Sequence, residues 1–523
     1  MISKSLKTFT IRKLLRYSAI ALVLFQVLLY VKYIVRTSNY AFDWDTSDGD
    51  HLNFSKRIGE GKAIYFDLNS ETYLSVYNPL YHYLLNFIGQ GHQNLVLGRY
   101  LSLTLWLIVA LFIGIIATRK LGIKWGLFFV YCITFPPINR FNLEMLQLAP
   151  SSLLALAFLS GGLVFNKFMQ ERFSKKYLLP LIIVSVLTYF SKQQGIILVL
   201  IILLYLVYLK KFILSLYYFF PTLIGMIYFG YLLNNQNQGN FWNSTVFNLQ
   251  EILTSYWKLG TLRLLSFLIL AFPLVILSCY SIFITLREKK CLNFWQFSFL
   301  SHLPFLLFTL RNGGGGLNYY ATFLISIVML LISHFAYKPE NLSLKSIKMN
   351  SHRNLIKSFT GNISVFLLAS NFLFSSFVNA MTLTNYPYPN IRIVENTFQF
   401  YKMADRLTPT YNCEALSNRN ANPFVVNGCN MDTEGAITFT YAWSYPLLFS
   451  KKYIMDNIVC QKYDVISEGI HDYPIDLKRL IVKYYVVAYS DEVHLHLGDS
   501  GIQTLYVPNV INGEPRKPCG NAN

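Results

Sequence analysis

Apolar runs of membrane-spanning length recur along the chain from residue 15 to residue 380, and no other feature constrains the fold as strongly. A hydrocarbon layer about 30 Å thick needs roughly 20 apolar residues in a helix, and lipid leaves no partner for an unpaired backbone group. The chain therefore reads as an α-helical polytopic membrane protein. Its composition agrees, with 54% hydrophobic and 14% charged residues, against about 25% charged in ordinary soluble domains. Collagenous, disordered, coiled-coil and small disulfide-rich architectures are excluded together.

Lys4, Lys7, Arg12, Lys13 and Arg16 lead into a first apolar stretch from Leu15 to about Val35. It is too long for a signal-peptide core and has no small-residue cleavage site, so it predicts a retained span with a cytoplasmic N-terminus. Further runs lie near 95–117, 125–138, 146–165, 177–191, 195–209, 212–233, 262–286, 294–310, 319–337 and 358–380, giving about eleven transmembrane helices. Alternating sides places the basic clusters around Arg119, Lys175, Lys210, Arg287 and Lys338 in the cytoplasm, as membrane orientation requires. This accounts for the net charge of +19. No aromatic-interleaved basic face appears, so nucleic-acid binding is not expected.

An odd number of spans leaves the first loop, 36–94, and the tail outside the cytoplasm. We expect a multi-span membrane domain over 1–380 and an extracytoplasmic small α/β domain over 381–523, with its C-terminus on that side. The tail has strand-like segments at 483–489 and 502–508 and a helical one at 476–482. Cys413, Cys429, Cys460 and Cys519 put an even number of thiols in an oxidising compartment and predict one or two disulfides. Cys413 with Cys429 is the local pairing among three connectivities.

The first loop opens on FDWDTSDGDHL, which carries Asp43, Asp45, Asp48 and Asp50. Clustered carboxylates can hold a cation or take a proton from an attacking hydroxyl. The bland alternative is a solvated acidic loop. An EF-hand is excluded, because counting from Asp43 puts Asp48 at the glycine position and Phe54 at the twelfth. Downstream, YNPLYHYLLNFIG looks amphipathic and suited to the interface, with Tyr77, Tyr81 and Tyr83 at headgroup level.

FSKQQG interrupts an apolar run with Lys192, Gln193 and Gln194. Either the Lys reaches lipid headgroups at a chain turn, or it holds the phosphate of a lipid-linked substrate. Arg311 opens RNGGGGLNYY, and Glu144 is a further outer-loop acid whose simplest role is to sit at a helix start. His51, His82 and His92 show no metal-ligand spacing and receive no role. Walker, zincin and G-x-S-x-G motifs are absent.

Several of these segments, in order, resemble the polytopic GT-C glycosyltransferases, the group of protein mannosyltransferases and aminoarabinose and related lipid-dependent sugar transferases. The matching segments are SDGDHLNFSKRIGEGKAIY, YNPLYHYLL, GRYLSL, FSKQQG and GGGLNYY, spread over about residues 15–337. The resemblance implies Asp48 as catalytic base with Asp50 beside it. It also implies Lys192 and Gln193 facing the donor phosphate, joined by Arg311, and Tyr77, Asn318, Tyr319 and Glu144 lining the cavity. One element departs: many relatives carry R-P-D where this chain has Ala149, Pro150 and Ser151.

The implied function is inverting transfer of a sugar from a polyprenyl-phosphate donor to a glycan, lipid or protein hydroxyl, outside a bacterial cytoplasmic membrane. No cofactor is required by this reading. A divalent cation at Asp48 and Asp50 is compatible with it, but two acids are too few ligands to demand one. The competing readings are a transporter or flippase for a lipid-linked or anionic solute, and a non-catalytic scaffold.

Overall fold

The computed structural model describes residues 46–65, 77–89, 94–134, 150–247, 257–309, 320–336, 391–408, 413–417, 430–431, 451–468, 474–496 and 499–509, with parts of 17–39. Helices α1 (Thr46–Gly59) and α2 (Leu80–Gly89) come from the first loop. Next come α3 (Leu95–Leu121), α4 (Ile123–Thr134), α5 (Ser151–Gln170), α6 (Leu178–Ser191), α7 (Ile196–Tyr208) and α8 (Phe212–Gln236). They are followed by α9 (Trp257–Leu270), α10 (Phe272–Arg287), α11 (Phe294–Thr309) and α12 (Ala321–Ala336). Of these, α3, α5 and α8 are long and apolar enough to cross a membrane, and α4, α7, α10 and α12 are shorter apolar helices. The run at 358–380 lies outside the described residues.

Local chemistry sets the boundaries. Asn94 caps α3 by accepting from Leu97 N–H at 3.1 Å, while Arg119 and Lys120 fill its last turn. The turn to α4 then lets the two helices pack closely: a Cβ on Gly126 would fall 1.9 Å from Thr118 Oγ1 and 2.9 Å from Gly114 O. The single run expected at 262–286 is broken. Pro273 stands in the first turn of α10 and has no N–H to continue α9, so the chain turns at Ala271. Inside the bundle, α11 and α12 are joined by hydrogen bonds from Ser298 to Ser326 (2.8 Å) and His302 Nε2 to Thr322 (3.2 Å).

The tail forms helices α13 (Ile391–Leu407), α14 (Lys451–Val459) and α15 (Ile475–Tyr484) around a mixed sheet. Its strands are β1 (Glu414–Ser417), β2 (Asn430–Met431), β3 (Val465–Glu468), β4 (Tyr485–His496) and β5 (Asp499–Pro508), in the order β2-β1-β3-β5-β4. β1 runs parallel to β2 and β3, and β5 antiparallel to β3 and β4. The two-residue period of a strand splits the core cleanly. Leu416, Ile466 and Tyr506 pack with Ile454, Ile458, Leu477 and Ile481 of α14 and α15. Their neighbours Ala415, Val465 and Leu505 join Phe400 and Ala404 of α13 on the other face. That second core also contains Leu52 of α1, Tyr81 and Leu85 of α2, and Leu95 of α3. The tail thus rests on the helices of the first loop.

Cys413 and Cys460 are both disulfide-bonded, as the thiol count suggested. Cys429 and Cys519 lie outside the described residues.

Candidate functional site

The acidic motif begins a helix. Asp48 is the third residue of α1 and Asp50 the fifth, and Lys56 and Arg57 lie in its last turn, where positive charge suits the helix dipole. Residues 51–55 are all buried, so the helix that begins within the acidic motif is enclosed by its neighbours from His51 onward. Arg57 Nε donates to Ala63 O at 2.7 Å and turns the chain back along the helix. Ile64 and Tyr65 then donate their backbone N–H groups to Asn237 Oδ1, at 2.8 and 3.2 Å. This fastens the first loop to the C-terminal end of α8. Tyr65 Oη donates to the carbonyl of Tyr77, and Asn78 Nδ2 to the carbonyl of Tyr189 at the end of α6.

Lys192 stands at the reversal between α6 and α7 and is only 4% exposed. Its turn is tight because Gly195 N–H donates to Lys192 O at 2.7 Å. Gly195 packs so closely on α6 that a Cβ there would lie 1.9 Å from Thr188 O. A buried ammonium is costly unless it is solvated by polar groups. Lys192 Nζ donates to Ser151 Oγ at 3.0 Å and lies 5.9 Å from the centre of the Tyr77 ring. The Lys that could have reached lipid headgroups therefore points inward. Ser151, at the position where the sequence departs from R-P-D, is its hydroxyl partner.

Tyr77 links the two parts of the site. His51, three residues after Asp48 on α1, lies 5.3 Å from the Tyr77 ring. His51 Nδ1 is 2.8 Å from His82 Nε2, with the rings stacked at 5.1 Å. Burial, and then the neighbouring His51, hold His82 well below the ordinary imidazole range. Tyr81, expected at the headgroups, is instead fully buried and bonded to Ser102 Oγ at 2.8 Å, because α2 packs against α3. Tyr83, 38% exposed, keeps an outward position.

The structure thus brings Tyr77, Lys192 and the Asp48-bearing helix together. Gln193 follows Lys192 in the same turn. Asp43, Asp45, Glu144, Arg311, Asn318 and Tyr319 lie outside the described residues. Sequence reasoning missed Ser151, Asn78, Asn237 and the His51–His82 pair. Ser151 left a trace only as a departure from R-P-D, and the histidines were noted without a role. Among the described residues no group of three His, Cys, Asp or Glu could hold a metal ion.

No family model matches the sequence, and no curated protein matches it. Solved structures do. ArnT from Cupriavidus metallidurans bound to undecaprenyl phosphate superposes with a TM-score of 0.56 at 10% identity, over 92% of this chain and 97% of that one. The Archaeoglobus fulgidus oligosaccharyltransferase gives 0.51 in its apo form, at 11% identity over 90% of this chain and 73% of that one. Its complex with zinc and sulfate gives 0.50 at 12% identity, over 90% and 71%. At these identities the likeness is one of architecture: the chain shares its fold with these two solved transferase structures.

Proposed function

We propose that the protein is a membrane glycosyltransferase that moves a sugar from a polyprenyl-phosphate donor to an acceptor hydroxyl on the extracytoplasmic face, with inversion. The observation that carries this reading is the buried Lys192 ammonium, held against Ser151 and Tyr77 beside the acid-bearing helix α1. A fixed cation in an enclosed polar position suits a phosphate, whose charge it offsets without reorganising.

In this reading Lys192, Gln193 and Arg311 bind the donor phosphate, and Tyr77, Asn318, Tyr319 and Glu144 line the cavity. Asp48, with Asp50 as neighbour, takes the proton of the acceptor hydroxyl. The oxygen attacks the anomeric carbon, the bond from that carbon to the phosphate oxygen breaks, and polyprenyl phosphate leaves. Attack opposite the leaving group inverts the anomeric centre. A divalent cation at Asp48 and Asp50 is compatible with this reading, and the displacement itself calls only for a base and ligands to the leaving phosphate.

The test is incubation of the purified protein with a panel of polyprenyl-phosphate sugars and candidate glycan, lipid and peptide acceptors, followed by anomeric analysis of the product. An inverted glycoside supports the proposal. A retained anomer refutes single displacement. Translocation of donor across vesicles without any glycoside favours the transporter.

A further inference from the structure

His51 on α1 and His82 on α2 are at most 2% exposed and meet at 2.8 Å between Nδ1 and Nε2. At that separation one nitrogen carries the proton and the other accepts it. Two imidazoles on a tetrahedral zinc would stand about 3.4 Å apart, and such ligands normally donate their second ring nitrogen. Here, among the described residues, Nδ1 of His82 finds no partner, so the contact is a hydrogen bond.

The same atom indicates its direction. Were His51 the donor, a neutral His82 would carry its proton on the buried Nδ1 and strand an N–H. If His82 donates from Nε2, Nδ1 keeps only a lone pair, and stranded donors are the rarer outcome in folded proteins. His51 then accepts at Nδ1 and carries its own proton on Nε2.

We propose that this bond makes His51 and His82 positioning residues for the transfer, locking α1 to α2 so that the helix carrying Asp48 is held in register with Tyr77 and Lys192. The inference rests on the transferase reading above. His51 follows Asp48 by three residues on α1, so a bond that fixes His51 also fixes the rotation of the helix that carries Asp48. His51 touches Tyr77 at 5.3 Å, and Lys192 Nζ lies 5.9 Å from the same ring. Among the described contacts beside this bond are Phe54, edge-on to His82 at 5.1 Å, and Leu52 in the core shared with the tail. Apolar contacts of this kind allow sliding, whereas a hydrogen bond is directional.

The experiment measures kcat and donor KM with a polyprenyl-phosphate sugar that the wild type uses, in wild type, His82→Gln, His82→Phe and His51→Phe. Glutamine places an amide N–H near the position of Nε2 and keeps the donor, whereas phenylalanine keeps the ring and loses the bond. Losing one buried directional bond is expected to lower kcat about tenfold or more in both Phe variants, with donor KM within about twofold. His82→Gln stays within about threefold of wild type in kcat. Wild-type kcat in the Phe variants, or a fall in His82→Gln as deep as in His82→Phe, overturns the proposal. If His82→Phe does not fold, His51→Asn, which keeps an acceptor near Nδ1, against His51→Leu makes the same comparison. Wild type that releases no polyprenyl phosphate from any donor refutes the transferase reading, and does so before any variant is compared.

Discussion

Replacing Lys192 with methionine separates its proposed role in binding from a role in stability. The stem stays in place and only the ammonium is removed. Among the described residues that deletes the charge-assisted hydrogen bond to Ser151 Oγ at 3.0 Å, a loss of about 1–3 kcal/mol. Against this, a charge that is only 4% exposed no longer has to be kept from water, and such substitutions are often neutral. The two effects oppose, so the midpoint of thermal unfolding is expected to stay within a few degrees of wild type. Donor binding has no such compensation. A lost hydrogen bond to a charged phosphate is worth about 1.5–3 kcal/mol, or roughly a 10- to 150-fold rise in donor KM. Arginine at this position will not restore function, because a planar guanidinium does not fit where a compact ammonium sits between Ser151 and the Tyr77 ring. The assay is steady-state release of polyprenyl phosphate at varied donor concentration, with unfolding followed in the same detergent. Unchanged donor KM in Lys192→Met, or a large fall in stability with activity retained, refutes the binding role.

Three further outcomes follow from the geometry. Gly195→Ala puts a methyl group 1.9 Å from the Thr188 carbonyl, so the backbone must shift; about 1–3 kcal/mol of stability should be lost, with donor KM raised because Lys192 moves, as unfolding and kinetics will show. Asn237→Leu strands the N–H groups of Ile64 and Tyr65; at about 1–3 kcal/mol for each buried donor, the thermal midpoint should drop by several degrees. His82 is held below its ordinary 6.5 by burial and by His51, so the unfolded chain binds more protons than the folded one just below that value; stability should be full above pH 6.5 and fall as pH drops further. Unfolding midpoints between pH 7.5 and 5 will test this, and the slope should flatten in His82→Phe.

Elements with a strong local signal were legible in the sequence. The run at 212–233 became α8 over Phe212–Gln236, the strand-like segment at 502–508 falls in β5, and that at 483–489 enters β4 from Tyr485 on, its first two residues ending α15. The break at Ala271 escaped because hydropathy averages over a single proline, although Pro273 was visible in the sequence. The acid-rich segment was noticed for its charge, but its helix was not foreseen, since helix formation there depends on burial of residues 51–55 by distant parts of the chain. Lys192 was found because a charge in an apolar run is conspicuous. Its partner Ser151 was noticed only as a departure from a pattern; a serine 41 residues away has no periodicity or charge to announce the contact. The histidine pair shows the same limit. His51 and His82 are 31 residues apart on two helices, and their meeting is a product of packing between α1 and α2. Tyr81 was assigned to the membrane interface from its side-chain type, yet packing against α3 drew it inside.

The most direct test of the central claim is release of polyprenyl phosphate by purified wild type and by Asp48→Asn, each folded in detergent, with the donor panel described above. Asparagine keeps the shape of the side chain but cannot take a proton at this pH. The account predicts release by wild type in the presence of an acceptor and a fall of about 100-fold or more in Asp48→Asn, the usual scale for losing a general base, with donor KM little changed. Wild-type release by Asp48→Asn would contradict the assignment of the base. No release by wild type from any donor would contradict the account as a whole.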